Sequence, residues 1–118
     1  MTEHEHQKKI FQMAKDYIKT FPALGLLYAI PNAGKRSLRG GSYMVAEGLK
    51  KGVPDICLPV ANKSHHGLYI ELKSENGKPT TEQLLWIKKL SYFGNYACIC
   101  YGYKDAWRTI TYYLEDKI

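Results

Sequence analysis

The sequence predicts an α/β fold in which one mixed β-sheet is flanked by helices, in the order α-β-β-β-α-β-α. Three observations predict it. Apolar residues recur at helical spacing near the N-terminus, short apolar runs bounded by Gly, Pro or Asn mark strands, and two Thr-x-x-Glu/Gln patterns open helices. The length of 118 residues fits one domain spanning 1–118, large enough to bury a core without disulfides or metal staples.

The first helix is expected over residues 3–20. Thr2 and Glu5 form a capping-box pattern, Ile10, Met13, Ala14, Tyr17 and Phe21 make the apolar stripe, and Pro22 ends it. Residues 26–30 read as a short strand stopped by Pro31-Asn32. Residues 32–52 are rich in Gly, Lys and Arg, with a helical turn expected over 42–49. Strands follow at 55–60 and 68–73, joined by a hairpin-like link. Thr80 and Gln83 open a second helix that Gly94-Asn95 closes. A strand at 96–101 and a helix at 105–114 complete the chain.

Composition narrows the class. Hydrophobic residues make up 45% and charged residues 24%, as in a globular protein. No apolar run approaches the roughly 20 residues that span a bilayer, and the N-terminal residues lack the apolar core of a signal peptide. The cysteines, Cys57, Cys98 and Cys100, have no framework spacing, so reduced thiols and a cytoplasmic location are expected. The spacing of the histidines and cysteines does not suit structural zinc. A net charge of +6 favours a polyanionic partner, nucleic acid above all.

The chemistry concentrates at residues 55–73. Side chains alternate along a strand, so Leu68, Ile70 and Leu72 share one face while Tyr69, Glu71 and Lys73 share the other. Asp55 opens the preceding strand and approaches Glu71 if the two strands pair. Adjacent carboxylates repel unless a cation lies between them, and hard oxygen ligands select Mg²⁺ or Mn²⁺. The Leu72 carbonyl lies between the Glu71 and Lys73 side chains and is a further candidate ligand. Phosphodiester hydrolysis uses such a metal, and Lys73 stands where it can assist attacking water or stabilise the phosphate. In the basic stretch, Asn32, Lys35, Arg36, Arg39 and Lys51 are candidate DNA contacts, because phosphate binding by such a loop fixes position without reading sequence.

Pro54-Asp55 followed by Glu71-Leu72-Lys73 resembles the PD-(D/E)XK nuclease signature. The longer string Gly48-Leu49-Lys50-Lys51-Gly52-Val53-Pro54-Asp55, then Ile70-Glu71-Leu72-Lys73, then Gly77-Lys78 and Thr80 with Gln83, resembles a VRR-NUC domain. Ala29-Ile30-Pro31-Asn32 with Arg36 is similar to the phage-type, stand-alone branch. The resemblance covers nearly the whole chain. It implies a restriction-endonuclease-like core, a divalent metal, and structure-selective cleavage of branched DNA such as four-way (Holliday) junctions, leaving 5′-phosphates. It also implies a homodimer, and a phage-encoded enzyme acting inside a bacterial cell.

The resemblance further implies a metal-binding Glu on the first helix. Relative to Ile10, Glu3 falls about 20° away and Gln7 about 60° away, whereas Glu5 falls about 140° away. Glu3 is therefore the expected fourth member, with Gln7 beside it; Glu3-x-x-x-Gln7 also resembles the family's first-helix pattern. Glu5 has a sufficient role in the capping box.

Bland readings compete with these. Glu71 and Lys73 are also what a solvated strand face with a surface ion pair would carry. Gln83 either closes a capping box alone or also reaches inward to Lys73 or a substrate phosphate, and both readings stand. Trp86, Trp107 and most tyrosines read as packing residues. Two other functions remain open: a non-catalytic DNA-binding module on the same fold, and a nuclease acting on flap or linear duplex DNA or on RNA.

Overall fold

The computed structural model describes residues 1–32 and 45–118. Helix α1 (Glu3–Asp16) begins at Thr2, whose hydroxyl accepts the Glu5 N–H at 3.1 Å. A 3₁₀ turn (Pro22–Leu26) leads into β1 (Tyr28–Ala29). Then follow β2 (Ile56–Leu58), β3 (Leu68–Lys73), helix α2 (Thr81–Tyr92), β4 (Tyr96–Tyr101) and helix α3 (Gly102–Leu114). This is the α-β-β-β-α-β-α order the sequence predicts.

The four strands form one mixed sheet in the order β1-β2-β3-β4. β2 is antiparallel to both β1 and β3, with Ile56 opposite Ile70, whereas β3 and β4 run parallel, with Glu71 opposite Ile99. The parallel step needs a crossover, and α2 supplies it. Ile56, Leu58, Leu68, Ile70 and Leu72 pack with Ile10 and Ala14 of α1 and with Ala106, Ile110 and Tyr113 of α3 in one buried cluster. Tyr113 is fully buried, and its hydroxyl donates to the Val60 carbonyl at 2.6 Å. α2 packs over β3 and β4.

Three boundaries differ from the sequence expectation. α1 stops at Asp16, not near residue 20; residues 17–20 form a turn in which the Thr20 N–H makes a tighter i−3 bond to the Tyr17 carbonyl. Pro22 therefore starts the 3₁₀ turn, where its missing N–H costs nothing, instead of ending a helix. That turn takes Leu26, so the first strand shrinks to two residues. The expected helical turn over 42–49 lies partly outside the described residues; Gly48 N–H closes onto the Val45 carbonyl at 3.0 Å.

The second helix follows its pattern fully. Thr80 accepts the Gln83 N–H at 3.2 Å, and the Gln83 side-chain oxygen accepts the Thr80 N–H at 2.8 Å. Its end is closed at Gly94, which adopts φ +94°. Of the tyrosines expected to serve core or helix packing, Tyr113 is in the core and Tyr17 packs on Trp107 of α3, while Tyr92 is largely exposed. Among the described residues no helix is long and apolar enough to cross a membrane. All three cysteines carry free thiols.

Candidate active site

β3 positions the central pair. Glu71 and Lys73 leave the same face of the strand, and the Lys73 Nζ stands 3.7 Å from the Glu71 Oε2. Neither belongs to a solvated face: Glu71 is 1% exposed and Lys73 8%. A carboxylate withdrawn that far from water needs cations or hydrogen-bond donors to stay charged. Lys73 is one partner and Gln83 another, with Nε2 donating to Glu71 Oε2 at 3.0 Å.

Asp55 directly precedes β2. The Ile56–Ile70 pairing, carried one step back, sets Asp55 opposite Glu71 on the same face. Asp55 is 5% exposed, and its Oδ2 accepts the Leu72 N–H at 2.8 Å. Its main chain is pinned as well. Its carbonyl accepts the Ile30 N–H at 2.8 Å, and Asn32 Nδ2 donates to the Val53 carbonyl at 3.1 Å. The 30–32 and 53–55 segments are thus clamped together at the sheet end. The N–H and C=O of one strand residue point to the same side, so the Leu72 carbonyl faces the flank from which Asp55 approaches.

A cleft of about 570 Å³ opens beside Asp55, lined by Glu3, His4, Gln7, Ala29, Ile30, Pro31, Asn32 and Asp55. Helix α1 therefore brings Glu3 and Gln7 to the acidic end of the sheet, while Glu5 is exposed. His4, for which the sequence suggests no role, lines the same cleft. His6 points elsewhere, accepting the Tyr103 N–H on Nδ1 at 3.0 Å near the start of α3.

The donor set suits a hard divalent cation. Asp55, Glu71 and the Leu72 carbonyl offer oxygen ligands from facing strands. Glu3 shares the cleft with Asp55, but among the described residues no three His, Cys, Asp or Glu side chains gather into a metal-holding cluster. Magnesium is commonly held by one or two carboxylates, with water and substrate phosphate completing its shell. The residues present fit that pattern better than an all-protein cage.

The family model of the VRR-NUC domain matches residues 12–104, most of the chain and all of Asp55, Glu71 and Lys73. The chain belongs to the VRR-NUC family. A solved structure described as a VRR-NUC domain protein aligns with a TM-score of 0.83 at 26% identity, over 98% of this chain and 89% of that one. No curated protein matches in sequence. As a VRR-NUC domain the chain is a nuclease-type, DNA-binding domain. The matched span starts beyond Glu3 and Gln7, which line the cleft beside Asp55.

The expected DNA contacts divide. Lys35, Arg36 and Arg39 lie outside the described residues. Lys51 is exposed and pairs with Glu82 at 3.7 Å. Asn32 and Gln83 have inward partners. Asn32 is 6% exposed and ties down Val53, and Gln83 is 7% exposed with both ends of its carboxamide spent inside the protein. Gln83 orients Glu71. Its inward spacing with Trp86, Ile87 and Leu90 is the available signal, but the partner is Glu71 and not Lys73.

Two tyrosines on the Glu71 face have no role in the sequence reading. Tyr28 and Tyr69 flank Cys57 across β1, β2 and β3. Burial, then the neighbouring Cys57, pushes the Tyr69 phenol up to about 12, so it stays protonated beside the acidic pair. Strand alternation is enough to place Tyr69 there; Tyr28 needs the sheet order.

Proposed function

We propose that this VRR-NUC domain is a divalent-metal-dependent DNA endonuclease, selective for branched DNA such as four-way junctions and active as a homodimer. The observation that carries the reading is the burial of Asp55, Glu71 and Lys73 together at one sheet end, with Asp55 lining an open cleft. A surface ion pair would not be withdrawn from water in this way.

Mg²⁺ or Mn²⁺ held by Asp55, Glu71 and the Leu72 carbonyl would polarise the phosphate and lower the pKa of attacking water. The protein's own groups do the remainder. Gln83 fixes one oxygen of Glu71, and the Leu72 N–H fixes one oxygen of Asp55, so both carboxylates are pre-oriented before DNA arrives. Lys73 brings a positive charge to the scissile phosphate and offsets the negative charge that grows as water attacks. The P–O3′ bond breaks and the product keeps its 5′-phosphate. Glu3 acts across the cleft, holding water or completing the metal's outer contacts, with Gln7 beside it. The free thiols favour a cytoplasmic site of action.

Cutting a junction symmetrically needs two active sites, and each chain supplies one, which is the reason for a twofold dimer. Lys35, Arg36, Arg39 and Lys51 supply phosphate contacts that respond to DNA shape.

A panel of labelled junction, fork, flap, linear-duplex and RNA substrates tests the reading. The expected result is Mg²⁺-dependent cleavage fastest on the junction. Binding without cleavage in Mg²⁺ and Mn²⁺ would favour a non-catalytic module, and equal rates on linear duplex would remove the shape selectivity. Within the site, Glu3→Gln is expected to lower cleavage by about 10²-fold or more, as for loss of a positioned catalytic group, while Glu5→Gln keeps most of it. Equal rates for the two variants would remove Glu3 from the machinery.

A further inference from the structure

A second cleft, of about 410 Å³, lies away from the acidic one and is lined by Lys50, Lys51, Glu82, Leu85, Trp86 and Lys89. One wall is the 50–52 segment and the other is a flank of α2. Two contacts lock the walls together. Trp86 Nε1 donates to the Lys51 carbonyl at 3.1 Å, and Gly52, at φ +85°, sits so close to Glu82 that a Cβ there would lie 2.6 Å from the Glu82 Cβ. The cleft is built into the fold and not draped over it.

Its charge is unbalanced. Three lysines face one carboxylate, and Glu82 is engaged by Lys51 at 3.7 Å. Among the described residues neither Lys50 nor Lys89 has an ion-pair partner. Two such cations sharing a cleft repel until an anion lies between them. Leu85 and Trp86 add an apolar surface that a sugar or base edge can cover.

Both walls run directly to the active site. Glu82 adjoins Gln83, which holds Glu71, and Gly52 is three residues from Asp55. Three residues of chain span at most about 11 Å, the rise of about three base pairs at 3.4 Å each. We propose that this cleft is a second phosphate-binding site on the DNA track, holding the sugar–phosphate backbone within a few base pairs of the cleavage point. The proposal rests on reading Asp55, Glu71 and Lys73 as the nuclease centre. It adds a second anchor, joined to the active site through the 52–55 segment and through the Glu82–Gln83 step of α2.

The test is equilibrium binding of a fluorescently labelled four-way junction to the purified protein without divalent metal, across a range of NaCl concentrations. The Lys50→Gln/Lys89→Gln double variant is expected to bind more weakly, with the slope of log K against log [salt] reduced by about two, one for each phosphate that is no longer neutralised. A Lys15→Gln/Lys117→Gln control, at positions that line neither cleft, is expected to keep the wild-type slope. An unchanged slope in the first variant, or an equal reduction in the control, overturns the proposal. Because no cleavage is required, the two readings separate. A protein whose slope falls in the double variant but which never cuts DNA keeps the anchor and loses the nuclease centre, whereas one that cuts DNA with an unchanged slope loses only the anchor. A wild type that binds no DNA overturns both.

Discussion

Changing Lys73 to Ala is expected to slow strand cleavage by about 10²–10⁴-fold while junction binding stays near the wild-type value. The first effect follows from the position of the ammonium, 3.7 Å from Glu71 on the strand face beside Asp55. The second follows from its burial: at 8% exposure Lys73 has little surface with which to attract DNA at long range. Single-turnover cleavage measures the first and anisotropy the second. Lys73 also neutralises a carboxylate that is 1% exposed, and removing one member of a buried pair costs roughly 3–5 kcal/mol. The Tm should therefore fall, and the rates are to be compared well below the melting point of the variant. A rate within a few-fold of wild type would remove Lys73 from the chemistry.

Outside the site itself, Gly52→Ala is expected to be strongly destabilising. Gly52 has φ +85°, and an added Cβ would meet not only the Glu82 Cβ but the Glu82 backbone carbonyl carbon at 2.9 Å. Overpacking of that kind costs about 1–3 kcal/mol, and the left-handed backbone adds roughly 1–2 kcal/mol. Together these should lower the Tm by on the order of 10 °C, read by thermal melting. Activity should fall as well, since pushing Glu82 outward displaces Gln83 and loosens its 3.0 Å hold on Glu71. Gly48→Ala is the matched control. Gly48 also has positive φ, +106°, but a Cβ there meets nothing within 4 Å, so that variant should show the backbone cost alone and unchanged cleavage. Equal effects at the two positions would mean that the Gly52–Glu82 contact is unimportant.

How far the sequence reveals this arrangement depends on the range of the interaction concerned. β3 is legible to the residue, because Leu68-Tyr69-Ile70-Glu71-Leu72-Lys73 alternates cleanly and is bounded by Gly67 and the 74–79 loop. The start of α2 is legible because a capping box is local, with all its atoms within four residues. The end of α1 is not. Tyr17 and Phe21 continue the helical pattern past Asp16, so the pattern does not show where the helix gives way to the turn that ends on the Thr20–Tyr17 bond. Gln83 shows the same limit at the site. Its inward position can be read from spacing, but a partner 12 residues away on another element cannot. Asn32 reads as a DNA contact because it sits in a polar, basic stretch. Its bond to Val53, 21 residues on, becomes visible only with the β1–β2 pairing. The second lysine cleft is hidden for the same reason, since Lys50 and Lys89 are brought together only by the packing of α2 on the 50–52 segment.

Metal dependence decides whether Asp55, Glu71 and Lys73 form a nuclease centre. It is read from cleavage of a labelled four-way junction by chelator-stripped protein as Mg²⁺ is added back, for the wild type and for Asp55→Asn. The expected outcome is no cleavage in chelator, a saturable recovery of cleavage by the wild type, and at least about 10²-fold less by the variant at every Mg²⁺ concentration. Cleavage that persists in chelator, or an Asp55→Asn variant that recovers as fully as the wild type, would mean that these residues do not form such a centre.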